Sequence, residues 1–279
     1  MIRLVTDSMS QLPAEVVSKY DILTVPVSVI FNGTAFREGI DITNEEFYRR
    51  LTEANSLPTT TQPSAGDFQR VYQQLAAEGV DIISIHPPEI LSGTINSARQ
   101  AAGMVNGSRI APVEIPWLAP SQGFIVLEAA RGIEAGADYD EVLHLIDGLV
   151  PRQNLIFAVD TLEYLQKGGR IGGAQALLGA LLRLKPILYL KDGRVEPLDR
   201  VRTWSRVPDR LLTLMADMLG PGDGPVHVGV MHSCNGEGAA GLKEEVYRRF
   251  DVAELYTTEI GPVIGTHVGP GALGLAFYR

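Results

Sequence analysis

Along the first half of the chain, hydrophobic and polar positions alternate between strand-like and helix-like periods. Leu4-Val5 and the run Thr24 to Phe31 have strand character, and Asn32-Gly33 supplies a turn after the second. Ser64-Ala-Gly-Asp67 is a capping-box-like helix start with Asp67 in place of the more usual Glu, and Phe68, Val71, Tyr72 and Leu75 then share one helical face. Val80 to Ile85 predicts a buried strand, and a further helix begins from Ser92. This βα alternation predicts a mainly parallel sheet with helices packed on it for residues 1–150.

The second half reads differently. Asn154 to Asp160 predicts a strand, and Thr161 to Gln166 a short helix closed by Gly168-Gly169. Ala174 to Leu184 is apolar on nearly all sides, which predicts a buried helix. Pro186 to Leu190 and Arg194-Val195 flank Asp192-Gly193, a two-residue hairpin signal. A strand from Val226 to Met231, a helix from Glu237 to Phe250, a strand from Ala253 to Glu259 and a terminal strand from Ala272 to Tyr278 complete the pattern. Residues 151–279 are therefore predicted to form an α+β domain with a mixed, partly antiparallel sheet. The boundary is set near Pro151, since 279 residues is long for one core.

Composition narrows the setting. With 45% hydrophobic residues the chain can bury a sizeable core. A single cysteine, Cys234, excludes an intramolecular disulfide and fits a reducing compartment. Met1 to Asp7 runs straight into strand character without an apolar leader, and no other stretch is long enough for a span, so the expectation is a cytoplasmic protein without stable membrane insertion. A net charge of −9 argues against a nucleic-acid partner. Two locally basic pieces, Lys167 to Arg170 and Arg200 to Arg206, are either solvated surface or a docking patch for an acidic or phosphorylated partner.

Ile260 to Tyr278 holds 19 residues without a formal charge, yet Gly261, Gly265, Gly269, Gly271, Gly274, Pro262 and Pro270 would break a membrane helix repeatedly. So many glycines predict a binding loop whose backbone lies close to a small anionic group, with His267 in its middle. Gly269-Pro-Gly271-Ala-Leu-Gly274 matches the dinucleotide spacing G-x-G-x-x-G, but that motif needs a strand before it and a helix after it, and here a strand follows. Two hydroxyl-rich segments precede helix starts: Pro58-Thr-Thr60-Thr61-Gln-Pro63-Ser64 and Leu91-Ser92-Gly93-Thr94. N-capping accounts for either alone, whereas two at one end of a parallel sheet mark the end where anionic ligands bind.

Other chemistries find less support. Ser92 lacks the G-x-S-x-G elbow of a hydrolase, and no His–Asp relay is evident. His232-Ser233-Cys234 reads as a strand-end turn. His86, His144, His227, His232 and His267 show no metal-ligand spacing, and His227 and His232 would fall on opposite faces of a regular strand.

Thr6-Asp7-Ser8, the Pro58 to Ser64 and Leu91 to Thr94 segments, Asp160 to Leu165 with Lys167 to Ile171, and Ile260 to Gly274 together resemble the DegV family in order and spacing, over essentially the whole chain. The resemblance implies a non-enzymatic carrier of one long-chain fatty acid, with no other cofactor and no catalytic residue. It further implies that the carrier presents the carboxyl group to a separate ATP-dependent fatty acid kinase subunit. It places carboxylate binding on Thr60 and Ser92, with Thr61 and His267 beside them, and partner contact on Arg170 and Arg202. Neutral hydroxyls and backbone N–H groups would hold the carboxylate without burying a fixed cation beside it. The acyl tunnel is expected in the second domain, walled by Ala174 to Leu184 and Pro186 to Leu190. His86-Pro87-Pro88, Trp117 to Gly123, Thr61, and Trp204 with Pro208 depart from the family pattern, the last pair weakening a kinase-docking face. The alternative on fold grounds is a small-polar-ligand subunit of the dihydroxyacetone or phosphosugar type, which needs a polar pocket; a pure interaction protein is a third possibility.

Overall fold

The computed structural model describes residues 1–54, 56–179, 184–222 and 224–279. Strand β1 (Ile2–Asp7) is followed by a 3-10 turn, Ser8–Ser10, and helix α1 (Ala14–Lys19). The strand character expected across Thr24 to Phe31 divides at Pro26, which has no N–H to give a ladder, into β2 (Leu23–Val25) and β3 (Ser28–Phe31). Asn32 and Gly33, both at positive φ, turn β3 into β4 (Thr34–Arg37). Then come α2 (Asn44–Glu53), β5 (Thr59–Thr61), α3 (Ala65–Ala77) with the expected Ser64–Asp67 capping box, β6 (Asp81–His86), α4 (Thr94–Ala102), β7 (Ile110–Glu114), α5 (Ala119–Glu134) and α6 (Tyr139–Leu149). After residue 150 follow β8 (Asn154–Ala158), α7 (Glu163–Lys167), the hairpin β9 (Lys185–Lys191) and β10 (Arg194–Val201), α8 (Val207–Leu219), β11 (Val226–His232), α9 (Gly236–Arg249), β12 (Val252–Glu259), α10 (Pro262–Val268) and β13 (Leu273–Tyr278).

The fold is α/β. One sheet is parallel, in the order β2-β1-β6-β7, as the βα alternation predicts. A second, six-stranded sheet runs β10-β9-β8-β13-β11-β12 and is mixed, antiparallel except between β11 and β12. A three-stranded antiparallel sheet, β4-β3-β5, was not foreseen. The strands before Pro151 make the parallel and three-stranded sheets, and those after it make the six-stranded one.

Period-two burial sorts the core into layers. Along β8, Ile156 and Ala158 pack toward α8 and α9, while Leu155 and Phe157 join the apolar cluster around α5. On the parallel sheet, Val5 and Ile82 face α3 and α4, whereas Leu4, Ile83 and Ile85 face α5. Helix α5 lies between the two large sheets and is buried on almost every side, Ser121 and Gln122 included. The helix expected over Ala174 to Leu184 is not of that kind: Gly172–Leu177 forms a 3-10 turn with only Ala174 buried, Leu178 is exposed, and residues 180–183 lie outside the described residues.

Ile260 to Gly274 also corrects an expectation. Its centre is a seven-residue helix, α10, rather than a glycine loop. Pro262 sits near the helix start, where its fixed φ is favourable and its missing N–H costs nothing. Gly265 makes room for α2, since a Cβ there would lie 2.7 Å from both Phe47 Cε1 and Tyr48 OH. Gly269, at φ 73°, ends the helix. The dinucleotide-like spacing thus connects a helix to a strand, the reverse of what a phosphate loop requires.

Candidate functional site

The expected carboxylate-binding residues Thr60, Thr61, Ser92 and His267 all line one cavity, which the six-stranded sheet walls with Leu155, Phe157, Leu190 and Val195. On β5, burial alternates, so Thr60 is half-buried while Thr59 and Thr61 are exposed. Thr60 Oγ1 lies 3.1 Å from His267 Nε2, across 207 residues of chain. Ser92 stands in the turn between β6 and α4, beyond the carboxyl end of a parallel strand, and its hydroxyl lies 2.8 Å from that of Thr94. Thr61 and Gln62 complete the rim. Apolar side chains, Met9, Val27, Leu155, Phe157, Leu190 and Val263 among them, make up much of the remaining lining. Of the expected walls, Leu190 of β9 lines this cavity; residues 174–179 do not.

His267 is held as a neutral imidazole. Burial, and secondarily the Arg170 guanidinium, lower its pKa from 6.5 to about 4. Its Nδ1 is buried without a hydrogen-bond partner and faces Gly168, where any Cβ would collide with it. Gly168 has an ordinary helical φ of −77°, so here the absence of a side chain matters and conformational freedom does not.

Arg170, expected as a partner contact, lines the cavity. Its half-buried guanidinium donates from Nε to the Leu91 carbonyl at 3.1 Å and from Nη1 to the Gly168 carbonyl at 2.8 Å. It therefore ties the Ser92 turn to the end of α7, and the expectation of a site free of fixed cations is corrected. Arg202, in the bend after β10, is exposed and does not line the cavity. Gln62, Met9 and Val263 were missed as lining residues. Only Gln62 left a trace in the sequence, through its place between Thr61 and Pro63.

A second polar cluster overturns the absence of a relay. Parallel pairing of β1 with β6 sets Asp7 beside His86, Nδ1 to Oδ2 2.6 Å, and Ser84 Oγ lies 2.6 Å from His86 Nε2. The connectivity is that of a hydrolase triad, yet all three residues are fully buried and Tyr72 donates to Ser84 Oγ at 2.8 Å. A nucleophile sealed from solvent reaches no substrate. The cluster is a structural pin, and Asp7 Oδ1 also caps the Met9 N–H at 3.0 Å.

Glu128, His227 and Glu254 bring possible metal-ligand atoms within 4.8 Å of one another, but Arg131 pairs with both carboxylates, at 2.5 Å from Glu128 and 2.9 Å from Glu254. The His227 hydrogen bond, aided by Arg131, holds Glu254 near pKa 2. These side chains satisfy one another.

The fold and cavity define a class: an α/β protein with one cavity lined by apolar side chains together with hydroxyls, an imidazole and a guanidinium. The chain matches, over residues 1–279, the family model described as uncharacterised protein, DegV family. It is 35% identical to a DegV domain-containing protein of Halalkalibacterium halodurans, covering 99% of this chain and 98% of that one. Among solved structures, a DegV family protein from Thermus thermophilus, described by its fatty acid binding, matches at TM-score 0.95 and 36% identity, covering 100% of this chain and 99% of the other. A stearic acid-binding protein from Eubacterium ventriosum matches at TM-score 0.93 and 27% identity, covering 100% and 98%. The chain belongs to the DegV family.

Proposed function

We propose that this protein binds one long-chain fatty acid, its carboxylate at Thr60, Ser92, Thr61 and His267 and its acyl chain in the apolar cavity. The observation that carries the reading is the union, in one cavity, of convergent hydroxyls beside a neutral imidazole with a wall of Met, Val, Leu and Phe side chains. The Nε2–H tautomer of His267 gives Thr60 a donor and frees the threonine proton for an anion. Arg170 adds a cation within the same cavity, which favours the ionised carboxylate. Burying sixteen methylenes contributes roughly 13 kcal/mol gross, before ordering costs, at about 0.8 kcal/mol each. The relatives from Thermus thermophilus and Eubacterium ventriosum support the ligand class.

We further propose that residues 1–150 and 151–279 act as two domains with the carboxylate at their junction. The protein itself carries out no chemistry; it presents the carboxyl group in the cytoplasm to a separate ATP-dependent kinase subunit. Exposed Arg202 remains available for that partner, while Arg170 serves the ligand head group first. No described helix is long and apolar enough to cross a membrane. A small polar ligand would leave the apolar wall idle.

The test is to denature the purified protein, extract it with organic solvent and identify released lipid by mass spectrometry. Stoichiometric fatty acid is expected. An empty extract, followed by failure to take up added palmitate or oleate, would overturn the reading in favour of a small polar ligand.

A further inference from the structure

The segment that leads into α10 is gripped by side chains far away in sequence. Asn44 Nδ2 donates to the Glu259 carbonyl at 3.1 Å, and Tyr48 OH to the Ile260 carbonyl at 2.8 Å. Gln11 Oε1 accepts from the Gly261 N–H at 2.9 Å. Glu38 Oε1 accepts from the Val263 N–H at 3.1 Å. Of the four residues, Glu38 alone carries a carboxyl group and bonds inside the helix itself. It is only 7% exposed, its own N–H is fixed to the Val27 carbonyl at 2.9 Å, and a Cβ on Gly261 would collide with Oε1.

Val263 and His267 are four residues apart, so they share one face of α10, and both line the cavity. A helix this short moves as a unit: displacement at Val263 carries His267 with it. We infer that Glu38 is a positioning residue for the cavity, setting α10 along its axis and thereby setting His267 against Thr60. Its consequence for binding rests on the fatty-acid reading; the placement of His267 does not.

The experiment follows the His267 imidazole by NMR in the ligand-free protein, its signal identified by loss in His267→Gln, and measures palmitate affinity in parallel. Glu38→Gln keeps an acceptor for Val263 N–H and should leave both readouts at wild-type values. Glu38→Ala removes the acceptor and should move the imidazole signal and weaken palmitate roughly tenfold, the scale of one lost buried hydrogen bond. Should Glu38→Ala not fold, Glu38→Asp, which withdraws the carboxylate by one methylene, gives the same readout. A folded Ala or Asp variant with an unmoved imidazole signal would overturn the inference, as would a Gln variant that behaves like Ala. If the wild type takes up no palmitate, the fatty-acid reading fails while the imidazole signal still decides the role of Glu38.

Discussion

Replacing His267 with glutamine should flatten the acid side of the protein's stability curve. In the folded chain this imidazole is lowered from 6.5 to about 4, chiefly by burial and secondly by Arg170. Once unfolded it takes up a proton near pH 6.5, whereas the folded chain resists protonation until about pH 4. Unfolding therefore binds a proton in that window, and stability falls as pH drops through it. The gap between the two values, at roughly 1.36 kcal/mol per pH unit, amounts to about 3 kcal/mol in full, of which about 2 kcal/mol is expressed between pH ~7 and pH ~4.5. The assay is urea unfolding of both proteins at those two pH values, taking the difference of differences so that groups common to both cancel. Wild type should lose about 2 kcal/mol more than His267→Gln. Equal losses would mean that the imidazole is solvated or charged in the folded state, and the argument for a neutral donor beside Thr60 would fall.

Glu38 predicts the opposite slope. Burial raises its pKa from 4.5 to about 7, so its contribution is fully present below about pH 4.5 and lost as pH rises through about 7. Glu38→Gln should thus gain up to about 3 kcal/mol over wild type near pH 8 and almost nothing near pH 4.5, as urea midpoints will tell. Thr60→Ala and Ser92→Ala should each weaken palmitate binding roughly tenfold or more with the fold intact, by calorimetric titration; unchanged affinity in both would remove the proposed carboxylate site. Gly168→Ala adds one methyl group against His267 Nδ1 at an unstrained φ. It should cost affinity while thermal unfolding shifts by no more than about 1–3 kcal/mol, and wild-type affinity would show that the imidazole is free to move aside.

Local signals were legible in proportion to how local their physics is. Asn32-Gly33 and Asp192-Gly193 make their turns because both residues of each adopt positive φ, a demand contained within two positions. The Ser64–Asp67 box spans one helical turn and appears as read. The apolar run after Ala174 misled because apolarity alone does not say helix; the described part is a 3-10 turn starting from Gly172, itself at φ 52°. Helix α5 escaped notice although its burial is nearly complete. Between its apolar positions stand Ser121 and Gln122, whose polar atoms meet the Asn154 carbonyl and Thr6 across the layer.

The glycine-rich end shows where reading stops. Its composition correctly announced close approach but not what approaches: α2 at Gly265, Glu38 at Gly261 and the Tyr164 ring at Gly269. Each is a neighbour supplied by tertiary folding, as is Asp7 for His86 or Thr60 for His267. A helix of seven residues is too short to stand alone, and Gly265 in its interior costs about 1 kcal/mol more relative to alanine. It forms because its entering segment is tied at Glu259, Ile260, Gly261 and Val263 to the N-terminal half of the chain. The imidazole that lines the cavity is thus delivered by a helix that local sequence alone would not sustain. That is why motifs could point to Thr60, Ser92 and His267 as neighbours of one cavity while the contacts that support them could not be read.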